Sequence, residues 1–196
     1  MKKITFLTTV FLPLCGLWFI GQGSYIHTKA TVAQILLKVA WTETLQGEKE
    51  VKPWPWADTW PIGRLSVPRL GISRIVLAGT SGQSLAFGPG HLFNSAKPGE
   101  SGNIVIAGHR DTHFSFLKDL EIGDYIELEI SNGETLVFQV RRTLVTNEQN
   151  TALLEKNAGH YLTLLTCYPF DAVQPGGPLR YVVQGQFRVS KRTIFI

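Results

Sequence analysis

Apolar and polar positions divide this chain into two unlike parts. From Ile4 to Ile20 there is no charged residue, and these 17 residues, preceded by Lys2-Lys3, reach the lower end of the roughly 17 to 25 that cross a bilayer as a helix. A single span with its N-terminus in the cytoplasm follows from the flanking lysines, and an uncleaved signal-anchor is expected over the alternative of a cleaved signal peptide because no clear A-x-A site follows. Val32, Ile35, Leu36 and Val39 then recur at helical spacing, and Thr28 or Thr31 is placed to cap the start of a short amphipathic helix. In Pro53-Trp54-Pro55-Trp56-Ala57-Asp58-Thr59-Trp60-Pro61 the prolines exclude helix and regular internal strand, and the tryptophans are expected to pack as a lead-in along the domain's flank.

Beyond Arg64 the period changes to that of short strands separated by turns. The predicted strands are Leu65 to Val67, Ser73 to Leu77, Asn103 to Ala107, Tyr125 to Ile130, Thr135 to Val140, Thr143 to Thr146, Tyr161 to Thr166 and Arg180 to Arg188. Ser131-Asn132-Gly133-Glu134 carries the Asn-Gly signal of a tight hairpin whose two-residue loop needs positive φ angles. Helix is limited to Phe114 to Leu120 and Thr151 to Lys156. About eight strands at this spacing predict an all-β, closed or nearly closed barrel rather than a parallel α/β sheet. The implied organisation is a cytoplasmic tip and signal-anchor over 1–29, an amphipathic helix and Pro/Trp lead-in over 30–63, and a barrel over 64–196.

Composition changes this picture little. The chain has 196 residues, 44% of them hydrophobic, which suits one sizeable core plus an anchor. A formal charge of +4 is spread over scattered Lys and Arg with no stripe for nucleic acid. Cys15 lies in the apolar segment and Cys167 near the end of the domain, so they are not expected to pair. The histidines are dispersed and no acidic cluster has calcium-ligand spacing, so neither a metal nor a cofactor is expected.

The candidate chemistry lies at three strand ends. Cys167 closes the run Tyr161-Leu162-Thr163-Leu164-Leu165-Thr166-Cys167, immediately before Tyr168-Pro169. A thiol of ordinary pKa, about 8.5, is slightly ionised at neutral pH and needs an imidazole or cation beside it to act as a nucleophile. His109 follows the strand Asn103 to Ala107 and Gly108, and its imidazole suits both thiol activation and protonation of a leaving amine. Arg180 is expected to return on the adjacent antiparallel strand and offer its guanidinium to a carbonyl under attack. His91 sits in a glycine-rich turn and either lines the same cleft or bonds its own loop. His113 is expected to be structural, and Arg110 to point away from His109.

Thr163-Leu164-Leu165-Thr166-Cys167 resembles the TLxTC motif of the sortases, membrane-anchored cysteine transpeptidases. Asn103-Ile104-Val105-Ile106-Ala107-Gly108-His109-Arg110 resembles their histidine-ending strand, and Leu179-Arg180-Tyr181-Val182-Val183 their arginine segment. The likeness covers roughly Arg64 to Arg188, and the Pro-Trp-Pro-Trp lead-in is similar to that of sortases from Gram-negative bacteria.

The resemblance implies an eight-stranded sortase barrel with Cys167 as nucleophile, His109 as general acid and base, and Arg180 as oxyanion or substrate stabiliser. Thr166 and His91 are its expected substrate-binding residues. It implies a partner protein with an LPxTG-like C-terminal signal, cut after the threonine to a thioester that an amine resolves; the acceptor amine is not specified. The catalytic domain is expected on the periplasmic or extracytoplasmic side of the inner membrane. The connection from Tyr168 to Leu179, rich in Pro and Gly, is expected to wall the substrate groove. The competing expectations are another cysteine peptidase, or a membrane-tethered β-barrel adaptor in which Cys167 is inert.

Overall fold

The computed structural model describes residues 2–150, 159–174 and 176–192; the side chains of residues 2–10, 26, 191 and 192 fall outside the description. Two compact units are present, 1–36 and 37–196. The first consists of helix α1 (Lys2–Leu45), which continues into the second. Among the described residues, no helix is long and apolar enough to cross a membrane, and part of the expected span, 4–10, lies outside the described side chains.

α1 is one continuous helix, so the separate amphipathic helix expected near residue 30 merges into it. Thr28 and Thr31 therefore have helical neighbours on both sides, and their hydroxyls donate to the carbonyls of Ser24 and His27 instead of capping a start. The predicted stripe Val32, Ile35, Leu36 and Val39 is exposed. Leu37, Ala40, Trp41 and Thr44, spaced i, i+3, i+4 and i+7, form the buried face of the helix's last turns. Trp41 Nε1 donates to Glu129 Oε2 (3.1 Å), and the same oxygen meets Arg64 Nη2 at 2.8 Å. Glu129 is buried, and the two donors balance its desolvation.

Eight strands close the barrel: β1 (Pro61–Val67), β2 (Ile72–Ala78), β3 (Gly90–His91), β4 (Gly102–Ala107), β5 (Tyr125–Ile130), β6 (Glu134–Asn147), β7 (His160–Cys167) and β8 (Leu179–Arg192). Their order around the barrel is β1-β2-β3-β4-β7-β8-β6-β5, with β5 returning to β1. β2–β3 and β4–β7 are parallel and the other pairs antiparallel. Inward-facing Leu65, Val76, Ile104, Ile106, Leu128 and Leu164 belong to one core that the 3₁₀ turn Ser115–Asp119 helps to plug.

The expected number of strands is right, but the set differs. The two strands predicted at Thr135–Val140 and Thr143–Thr146 are one strand, β6, bent by a register shift between Val140 and Arg142. The two-residue β3 is too short to register as a periodic pattern, as is α2 (Gly82–Phe87), capped by the Ser81 hydroxyl. The β5–β6 hairpin has a three-residue loop, and of Asn132 and Gly133 only Gly133 has positive φ (77°). In the lead-in, Trp54 packs edge-on against Phe87, whereas Trp56 is exposed. The helix expected over Thr151 to Lys156 lies outside the described residues.

Candidate active site

The parallel β4–β7 ladder brings two strand ends together. Its last pair is Ala107↔Leu165, so His109 and Cys167 each stand two residues beyond it. Gly108 N continues the ladder to Leu165 O (3.1 Å). Thr166, 3% exposed, donates its hydroxyl to Gly108 O at 2.7 Å. Thr166 thus acts on the peptide immediately before His109, and the hydroxyl expected to meet substrate is committed to the backbone. Gly108 has no room for a side chain, since a Cβ there would lie 2.8 Å from the Phe114 ring. That close approach sends the chain outward, and His109 is exposed.

On the other side, β7 and β8 are antiparallel, and Cys167 faces Arg180 directly. Opposed residues on neighbouring strands share a face, with Cβ atoms about 5 Å apart. Cys167 is a free, half-buried thiol. The Arg180 side chain is 22% exposed. Its Nη1 donates to Gly177 O (2.6 Å) and Leu179 O (2.9 Å), and its Nη2 is paired with Glu148 Oε2. Three residues far apart in sequence therefore converge at one barrel end. No hydrogen bond joins the His109 ring to the Cys167 thiol among the described residues; free sites often tighten only with substrate.

Two features of this end escape sequence inspection. Glu148, just past β6, holds Arg180, and its N–H donates to Pro178 O (2.7 Å). Arg110, expected only to turn away from His109, is 4% exposed and enters the β7–β8 connection. Its Nη1 donates to Pro169 O (2.7 Å), its Nη2 to Ala172 O (2.7 Å) and Gln174 O (3.2 Å), and its Nε to Asp111 Oδ1 (3.0 Å). Tyr168, Phe170 and Tyr181 pack ring to ring at the base of the same connection.

His91 stands elsewhere. It is buried on β3, and its Nε2 donates to Ala96 O (2.9 Å) beside the Ser95 hydroxyl (3.0 Å). Burial lowers its pKa, opposed by the Ala96 bond, so the ring is neutral near pH 7. His91 also borders a cavity of about 790 Å³ with Trp60, Phe93, Lys97 and Ile130, none of which belongs to the Cys167 cluster. His113 is half-buried near Ala86 O (3.4 Å); burial chiefly, and then the charges of Arg74 and His109, push its pKa down.

The sortase domain model matches residues 65–188. The chain belongs to the sortase family. Sortase D of Bacillus subtilis is 34% identical over 125 residues, covering 63% of this chain and 62% of that protein. Sortase SrtE1 of Streptomyces coelicolor is 28% identical over 187 residues, covering 84% and 51%. The chain thus spans about half to three fifths of the length of these curated relatives. Among solved structures, the Clostridium perfringens sortase D5 transpeptidase superposes with a TM-score of 0.59 at 25% identity, covering 78% of this chain and 89% of that one. Listeria monocytogenes sortase A shares the fold, with a TM-score of 0.61 at 22% identity over 68% of this chain and 91% of that one.

Proposed function

We propose that this sortase is a membrane-anchored cysteine transpeptidase acting on a protein with an LPxTG-like C-terminal signal. The observation carrying this function is the convergence at one barrel end of Cys167, the Arg180 that faces it across the ladder, and His109 from the parallel neighbour. Cys167 gives its thiol proton to His109 and its sulfur attacks the threonine carbonyl, the resulting oxyanion being met by Arg180 N–H donors. His109 delivers a proton to the departing glycine nitrogen as the peptide bond breaks, leaving a thioester. An incoming amine then attacks the thioester, His109 takes its proton, and the thiol is restored as the new amide forms.

The uncharged run Ile4–Ile20 behind Lys2-Lys3 supports an anchor that places the barrel outside the cytoplasm. The Pro53-Trp54-Pro55-Trp56 lead-in supports an inner-membrane enzyme of Gram-negative type facing the periplasm. Mass spectrometry of the full chain in detergent micelles with an LPxTG peptide and a small amine tests this function. A thioester on Cys167 and an amine-ligated product are expected, both absent in Cys167→Ala. Cleavage by that variant would refute it.

A further inference from the structure

The carboxylate of Glu148 reaches the candidate site without touching Cys167 or His109. It belongs to the connection that leaves β6, and it closes on the guanidinium of Arg180, the residue paired with Cys167 across the β7–β8 ladder. A guanidinium has five N–H donors in a rigid plane. In Arg180 both Nη1 hydrogens go to the Gly177 and Leu179 carbonyls and one Nη2 hydrogen goes to Glu148. The Nε hydrogen and the second Nη2 hydrogen have no partner among the described residues.

Three contacts on two nitrogens fix the plane of the group, and the two donors left over, on Nε and Nη2, are held in that plane for a carbonyl oxygen. The carbonyl contacts alone come from the segment that carries Arg180 and move with it. Glu148 is the contact from a different strand connection. Its N–H to Pro178 O bond (2.7 Å) ties that connection to the residues leading into β8.

We infer that Glu148 is a positioning residue for Arg180: its carboxylate holds the guanidinium so that the two uncommitted N–H groups face the oxygen of the bond under attack at Cys167. This rests on the transpeptidase function proposed above. The ion pair is half-exposed, so its contribution is orientation in the loaded site more than stability of the fold.

Two measurements on the full chain in detergent micelles test it. In Glu148→Ala, the acylation rate with an LPxTG peptide is expected to fall about tenfold with KM little changed, and Glu148→Asp to recover part of the loss. In an Arg180→Gln background, Glu148→Ala is expected to cause no further loss, because its effect passes through Arg180. Independently of any substrate, the ¹⁵N signal of the Arg180 guanidinium, assigned by its disappearance in Arg180→Gln, is expected to show rotation about Cζ–Nε at least about tenfold faster in Glu148→Ala.

An acylation rate in Glu148→Ala within twofold of the parent, or above it, would overturn the inference. So would losses that multiply in the Arg180→Gln background, which mark a general structural role. If the parent forms no Cys167 thioester, the transpeptidase function fails, and the guanidinium signal alone decides whether Glu148 holds Arg180.

Discussion

Arg110 and Arg180 grip opposite ends of the β7–β8 connection, and their surroundings differ. Arg110 is buried and gives three hydrogen bonds to the carbonyls of Pro169, Ala172 and Gln174, with Asp111 as its one acidic partner among the described residues. Arg180 is partly open, holds the carbonyls of Gly177 and Leu179, and shares its charge with Glu148. The same chemical group therefore serves two ends. With all its contacts inside the protein, Arg110 builds a wall, whereas Arg180 keeps uncommitted donors and solvent access, as the proposed oxyanion role requires. Burial and the donors left over separate structure from chemistry here better than residue type does.

The contrast predicts opposite signatures for the two arginines. Arg180→Gln should lower acylation by about 10² to 10³-fold, the scale for an oxyanion donor, while unfolding free energy in urea changes by less than about 1 kcal/mol. Arg110→Met removes a guanidinium donor from each of three loop carbonyls and should lose about 3 kcal/mol of stability in the same titration. A loss below about 1 kcal/mol for Arg110→Met would break the comparison, as would an Arg180→Gln variant that unfolds more readily than Arg110→Met. Thr166→Val sharpens it from the third strand end, because the change keeps shape and removes the bond to Gly108 O. About 1 kcal/mol of stability should go, together with severalfold slower acylation, since His109 follows the released peptide.

The smallest effect belongs to a third arginine, far more exposed than Arg110. Arg69 forks onto Asp124 through Nε and Nη2, both at 2.6 Å, and this bond chiefly holds the Asp124 carboxyl below its usual range. A depressed folded-state pKa means that the pair's stabilisation is complete above the unfolded value of about 4 and is lost as pH falls through the lower folded value. Asp124→Asn should therefore remove that acid-side dependence, with a modest shift of the acid unfolding midpoint followed by fluorescence. An unchanged acid limb would show that solvent screens the pair completely.

Cys167, His109 and Arg180 could be picked out in the chain as one candidate cluster because each sits where an apolar run meets a glycine, proline or turn. Strand ends carry that mark in one dimension. Glu148 and the grip of Arg110 carry no such mark: their partners are mostly backbone carbonyls, which look alike in every sequence. The merging of two predicted strands into β6 has a similar cause, since the bulge that keeps Arg141-Arg142 within one strand breaks the alternation of apolar and polar positions there. Helix α1 misled for another reason. Its exposed surface carries the bulky apolar stripe Val32, Ile35, Leu36 and Val39, so the stripe that stands out in sequence is not the one, Leu37, Ala40, Trp41 and Thr44, that is buried.

The β5–β6 hairpin loop, Ser131–Gly133, precedes Glu134, which pairs with Arg192 at the far end of the long β6–β8 ladder from Leu179 and Arg180. It is short, polar and turned away from the thiol, which makes it a port for cargo. A fluorophore-bearing peptide or a small reporter domain spliced between Asn132 and Gly133 would travel with the barrel and leave its working mouth open.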